Sequence, residues 1–198
     1  MGAALYIVPG WDGQLCFSET PPGVPPNAKA LDVKPVPSRT ARAFVERYHY
    51  LGYAPLGARV NLGVWYGDRL MGVLMFGHPA ARLEDQQHTL ELFRMVLMDD
   101  CPRNSESRAL GLACKWIRRH MPDIRRLIAY ADPAKGHKGT VYLAAGWRFY
   151  GMTNGDKWNR PERSRRDASP GPKRKFEKLL LATDNPDCKK RKEAKFYP

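Results

Sequence analysis

Apolar residues between Val60 and Met98 fall in short runs bounded by polar or turn residues, the pattern of strands. Val60-Asn61-Leu62-Gly63-Val64-Trp65-Tyr66 and Arg69-Leu70-Met71-Gly72-Val73-Leu74-Met75-Phe76 flank Gly67-Asp68, a two-residue link suited to a hairpin. Thr89 to Met98 reads as a third antiparallel strand. Helical spacing appears on either side. Ala41, Phe44, Val45 and Tyr48 recur at three and four over residues 39–49, with Ser38 placed as N-cap and Gly52 and Pro55 as the stop. Leu110, Cys114, Ile117 and Met121 repeat the spacing after Asn104 or Ser105, and Pro122 ends it. Leu127 to Tyr130 is then a short buried strand. Thr140 to Ala145 is a helix closed by Gly146, and Trp147 to Tyr150 is a further strand.

This order predicts a mixed α/β fold whose central sheet is mostly antiparallel and splayed in the middle. Residues 1–36 read as an extended segment with a strand at Leu5–Val8 and a proline passage, Pro21 to Pro26, that blocks helix and central strand alike. Residues 37–152 form the expected catalytic core. Residues 153–198 form a basic loop and tail: Arg160–Arg166 and Pro170-Gly171-Pro172 read as a mobile loop, and Lys189–Lys192 as a frayed end. Periodicity leaves Lys173–Leu181 open between strand and helix. No internal repeat is visible.

The apolar share of 43% and charged share of 27% fit a folded domain at 198 residues. No apolar run approaches the roughly 20 residues that span a bilayer, and the start lacks the basic region of a secretory signal. Tyr6 stands where a myristoylation signal wants Ser or Thr. Cys16, Cys101, Cys114 and Cys188 are scattered without a CxxC pair, which predicts reduced thiols in a cytoplasmic setting rather than disulfides or structural zinc. The formal charge of +13 changes the picture more, because it points to a polyanionic partner. In residues 151–198, 14 Lys and Arg stand against 7 Asp and Glu, so +7 of that excess lies there.

Chemistry concentrates between Glu91 and Trp147. Arg94 sits in an apolar run, in phase with Leu92 and Val96, so alternation points it to their side. There a guanidinium demands an acceptor, either a ligand or an ion pair with Glu91, Asp99 or Asp100. Arg103, Asn104, Ser105, Ser107 and Arg108 surround a helix start, where free N–H groups favour an anion; plain capping by Asn104 or Ser105 is the alternative. Asp132 ends a buried strand, where α/β folds place reactive groups, and it could equally cap the turn before Pro133. His137 and Tyr142 flank the next helix start and could face Asp132. Gly136 and Gly139 allow close backbone approach to a ligand. His49 and Tyr50 end the first helix, as a wall of the site or as a packed aromatic corner. A metal such as iron held with Asp132 or His137 has no support in the spacing, so no metal ligand is assigned.

The order of elements resembles the GCN5-related N-acyltransferase (GNAT) fold. Leu92-Phe93-Arg94, Arg103 to Arg108, Tyr130-Ala131-Asp132 and Gly136 to Tyr142 more specifically resemble the bacteriophage Mom family of DNA adenine-modifying proteins. The likeness runs from about Val60 to Gly151. It implies a transferase, in the cytoplasm of an infected bacterial host, that converts adenine to N6-carbamoylmethyladenine in phage DNA and so evades restriction. It also implies an acyl donor bound by the strand and helix that carry Arg94 and residues 103–108. Acyltransferases of this fold place a glycine-rich loop over the pyrophosphate of coenzyme A. Here the loop is RNSESR with no glycine before Gly111, which weighs against coenzyme A and leaves a phosphate contact intact.

On this reading the partner is double-stranded DNA with a flipped adenine. The donor is glycyl-tRNA, making tRNA a second partner, or a coenzyme A thioester. Asp132 serves as base or orients the adenine amine, Tyr142 protonates a leaving group or stacks on the base, and His137 moves protons. Two other classes compete: a non-catalytic DNA-binding protein on an acyltransferase scaffold, and a GNAT acetyltransferase of protein or small-molecule amines.

Overall fold

The computed structural model describes residues 27–154 and 171–180, together with the backbone of β1 (Tyr6–Pro9) and β2 (Leu15–Ser18), an antiparallel pair. Pro21–Pro26, Arg160–Arg166, Pro170, Lys189–Lys192, Cys188 and the side chain of Cys16 lie outside the described residues. A seven-stranded sheet follows, formed by β3 (Asp32–Pro35), β4 (Ala58–Tyr66), β5 (Arg69–Gly77), β6 (Thr89–Leu97), β7 (Arg126–Ala131), β8 (Arg148–Met152) and β9 (Arg174–Leu179). Its order is β3-β4-β5-β6-β7-β9-β8, and every pair is antiparallel except β6 with β7.

Three helices cover the sheet: α1 (Ser38–Tyr48), α2 (Ser105–His120) and the short α3 (Thr140–Ala144). The apolar stripe of α1, Ala41, Phe44 and Val45, packs with Leu70, Val73 and Met75 on one face. That of α2, Ala109, Leu110, Ala113 and Ile117, packs with Leu62, Leu74, Phe76 and Leu127 on the other. With both faces covered, β5 is buried along its whole length, which is why its sequence is a continuous apolar run. Among the described residues no helix is long and apolar enough to cross a membrane.

Three details differ from or complete the sequence reading. Ser38 is the first residue of α1 rather than its cap; Pro37 holds that position, and the Ser38 hydroxyl accepts a hydrogen bond from buried Asn61 at 3.0 Å. The segment with undecided periodicity is strand β9, inserted between β7 and β8 with Phe176 fully buried. Arg94 does not share a face with both Leu92 and Val96. Met75 pairs with Arg94 and Phe76 with Leu92, so Phe93 is an extra, bulged residue. Leu92 joins the core under α2, whereas Phe93 and Val96 join the one under α1. The bulge therefore turns Arg94, in phase with Val96, to the α1 side, as bulges re-aim side chains.

The splay is real. β6 and β7 pair only from Thr89 to Leu92 against Arg126 to Ala129, and beyond those residues each strand runs on unpaired with the other. Arg94 and Asp132 lie past that point.

Candidate active site

Tyr50 is the meeting point of the predicted residues. Helix α1 ends with His49 in extended backbone, and Gly52, at φ 57, turns the chain and donates to the His49 carbonyl at 2.8 Å. That turn stacks the His49 ring on Tyr50 at 4.4 Å and brings Tyr50 to 5.2 Å from His137. The corner is therefore packed, yet the Tyr50 ring remains 60% exposed and open to solvent. Partial burial raises the Tyr50 phenol above its usual range; Arg94 opposes the shift and Asp132 adds to it. Tyr142 is pushed up to about 12 by burial, with a smaller contribution from Tyr50. The Tyr50 ring thus contacts His49 and His137, and it interacts electrostatically with Arg94, Asp132 and Tyr142.

His49 is held neutral. Burial, then the positive Arg94, then His137 lower it from 6.5 to about 4. Its Nδ1 accepts the Leu51 N–H at 3.2 Å, so the neutral ring carries its proton on Nε2 and serves as a donor. A histidine depressed in this way stabilises the fold fully above pH 6.5, and that contribution falls as pH drops toward about 4, because the unfolded chain binds the proton first. We expect the His49 ring resonances to stay put in an NMR titration until pH nears 4. The denaturation midpoint of His49→Gln should fall less than that of wild type between pH 6.5 and 4. A midpoint near 6 for His49 would contradict the burial argument.

Arg94 donates through Nε to the Tyr53 carbonyl at 3.2 Å and through a terminal nitrogen to the Phe93 carbonyl at 2.7 Å. The first of these bonds ties β6 to the loop after α1. Of the ion-pair partners the sequence allowed, Asp100 is bound by buried Arg69 at 2.6 Å, and Glu91 accepts the Ala80 N–H at 2.9 Å. Neither Arg69 nor Tyr53 was singled out by sequence, since a carbonyl acceptor leaves no mark in residue type.

Asp132 takes the capping role that the sequence allowed. One oxygen caps the turn that follows, accepting the Ala134 N–H at 3.0 Å, and the carboxylate also acts on Tyr50. Its carbonyl accepts the N–H groups of Lys135 and His137, both at 3.1 Å, which fixes His137 against Tyr50. Gly136 and Gly139 take φ 79 and 77. The close approach at Gly139 is made to the buried Phe176 ring, where an added Cβ would lie 2.2 Å from Cζ; at Gly136 the space is open. Gly139→Ala should therefore cost about 3 kcal/mol, combining the left-handed penalty with overpacking, and Gly136→Ala only about 1. Paired urea melts test the difference. Gly146 closes α3, with Gly146 and Trp147 N–H groups bonded back to Leu143 and Tyr142, so Trp147 packs on Tyr142 at 5.5 Å.

The α2 start forms a separate group. Asn104 precedes the helix at φ 68, the only non-glycine residue of positive φ among those described, and gives no side-chain cap. The Ser105 and Ser107 hydroxyls donate to the Pro102 and Asn104 carbonyls at 2.6 and 3.0 Å. Capping by Asn104 or Ser105 is thus not what these side chains do; the Ser105 N–H is bonded to the Pro102 carbonyl at 3.2 Å, and those of Glu106 and Ser107 have no side-chain cap. Arg108 buries its Nε without a hydrogen-bond partner, while Arg103 is exposed. Asparagine tolerates the left-handed region, so Asn104 supplies the bend that a glycine supplies elsewhere. These contacts stay within residues 102–108 and do not reach the Tyr50 cluster.

Two titratable groups beside the splay had no role as titrating groups in the sequence reading. Burial raises both Glu91 and Tyr130 above their usual ranges, and they are neighbours on the α1 face. Among the described residues no group of three or more His, Cys, Asp or Glu could hold a metal ion.

Comparison with known proteins follows this geometry. Among solved structures, a GNAT-family acetyltransferase from Streptococcus pneumoniae matches with a TM-score of 0.52 at 16% identity, covering 75% of this chain and 98% of that one. The acetyltransferase AAC(6')-Ib, solved with paromomycin and acetyl-CoA, matches with a TM-score of 0.55 at 8% identity, covering 83% and 98%. These likenesses establish the GNAT fold. Methylcarbamoylase mom of Escherichia phage Mu is 36% identical over 132 residues, 63% of this chain and 55% of that protein, so the match spans about half the length of that relative. The family model described as the Mom protein family matches residues 30–179, which enclose every residue of the cluster and the α2 start, and the chain belongs to that family.

Proposed function

We propose that this protein is a transferase that places a glycyl-type group on N6 of adenine in DNA and rearranges it to N6-carbamoylmethyladenine. The observation that carries the reading is exposed Tyr50 packed between His49 and His137 and coupled electrostatically to Arg94, Asp132 and Tyr142, in a chain of the Mom family. The relative's name, methylcarbamoylase, supports the same product class.

Adenine N6 is a poor nucleophile, hidden in the stack, so the base must be extruded into a pocket at a cost of a few kcal/mol. Tyr50 offers it an exposed ring. Asp132 accepts the proton that N6 loses as it bonds to the donor carbonyl. Arg94 and the neutral His49 Nε2–H stabilise the oxyanion of that step. The donor oxygen or sulfur leaves with a proton supplied from Tyr142 or His137. The freed glycyl amine then attacks C6, the C6–N6 bond breaks, and the former N6 departs as the amide nitrogen, taking up the proton that the amine releases. All atoms of the glycyl group are retained as N6–CH2–CO–NH2.

For the donor, the uncapped N–H groups of α2 and the buried Arg108 Nε suit an anionic phosphate. That fits the terminal phosphates of glycyl-tRNA as well as a coenzyme A thioester, the donor class bound in the AAC(6')-Ib complex. Nucleoside mass spectrometry of plasmid DNA from expressing cells tests the reaction, and N6-carbamoylmethyladenine is expected. Unmodified adenine with salt-sensitive DNA binding would instead mean a non-catalytic binder. Reconstitution with purified glycyl-tRNA tests the donor, and product formed from a thioester alone would reject it.

A further inference from the structure

We propose that the β8–β9 edge of the sheet holds the DNA strand flanking the target adenine, with a base stacked on Tyr150. The inference rests on the DNA-modifying reading above. β8 is the outermost strand, and Phe149, Tyr150 and Met152 are 40, 57 and 52% exposed. Scattered apolar residues on a surface need no explanation, but three within five residues do. A bulge between Phe149 and Gly151 leaves Tyr150 outside the ladder and turns its ring outward.

Each ring is backed by a cation. The Arg174 guanidinium lies 4.8 Å from the Phe149 centroid on one face, and the Lys175 ammonium, itself paired with Glu84, lies 4.6 Å from that of Tyr150 on the other. Aromatic rings beside cations are what an unstacked strand uses, bases on the rings and phosphates on the charges. Residues 148–152 and 173–179 carry Arg148, Lys173, Arg174, Lys175 and Lys178; Glu177 pairs with Arg148 and Glu84 with Lys175, which leaves the edge with a net positive charge. A second copy would oppose like charges along this ribbon, whereas a polyanion complements them.

Position matters as much as composition. Met152, Arg174 and Ala131 pair in one row across three strands, and Asp132 follows Ala131. Arg174 thus neighbours the residue before the carboxylate assigned to N6, and the β8 edge lies one strand further out, where nucleotides next to an extruded base would run.

The test uses the full-length protein with fluorescent single-stranded DNA, its duplex, and RNA of the same sequence, read by anisotropy across salt. Tyr150→Ala should weaken DNA binding about tenfold with an unchanged salt slope, since a stacking ring carries no charge. Tyr150→Phe should bind as wild type does. Lys173→Gln should lower the salt slope by about one. Wild-type DNA affinity in Tyr150→Ala would overturn the proposal. So would a loss confined to RNA, or a dimer that dissociates while DNA affinity holds. DNA modification is measured in parallel: active wild type with fully active Tyr150→Ala rejects the edge alone, and inactive wild type rejects the functional reading itself.

Discussion

Asp132→Asn is expected to lower the rate of adenine modification by about 10²–10⁴-fold, the range of a positioned general base, with no loss of fold. The substitution separates the two roles that this residue combines. Its Oδ1 caps the turn by accepting the Ala134 N–H, and an asparagine oxygen accepts the same bond, so His137 stays against Tyr50. What asparagine cannot do is take a proton. Asp132→Ala removes the cap as well and should add a stability loss of about 1 kcal/mol. Modified nucleoside per DNA, measured beside denaturant midpoints, distinguishes the cases. Asp132→Asn with near wild-type product would show that the carboxylate only braces the turn and that the base lies elsewhere, with Glu91 the next candidate on the α1 face.

Much of this arrangement was legible in the chain because periodicity and turn chemistry are local. The hairpin across Gly67-Asp68, the span of α2 and the Gly146 stop all follow from a few adjacent residues. The splayed sheet follows from the order of those elements. What escaped depends on register between distant segments. No alternation rule reveals that Phe93 is an extra residue opposite Met75 and Phe76, yet that bulge decides which face Arg94 serves. Nor does the short run Lys173 to Leu181 reveal a strand, because β9 is specified by its fit between β7 and β8 and by Phe176 beneath α3. Residue types at the site were visible, and their meeting at Tyr50 was not. His49 and Tyr50 lie over 80 positions from Asp132, and only the turn at Gly52 together with the loop from Asp132 to Gly139 closes that gap.

Arg94→Met should cost about 10²–10³-fold in the chemical step, the price of removing one oxyanion donor, while DNA affinity changes little. Arg94→Lys should fail to restore it. The guanidinium spends Nε and one terminal nitrogen on the Tyr53 and Phe93 carbonyls, and that two-point anchor in a planar fork fixes where the charge sits. A lysine ammonium would be a mobile point charge on a longer leash, with no such orientation. The pH behaviour of His49 gives a second readout that a bystander arginine would not move. Arg94 is the largest electrostatic contribution to the depressed His49 value after burial, so His49 in Arg94→Met should titrate nearer to its ordinary range. Loss of activity without that movement would mean that Arg94 supports β6 rather than the site. Activity retained with it would remove Arg94 from the oxyanion step and leave the neutral His49 Nε2–H as the donor.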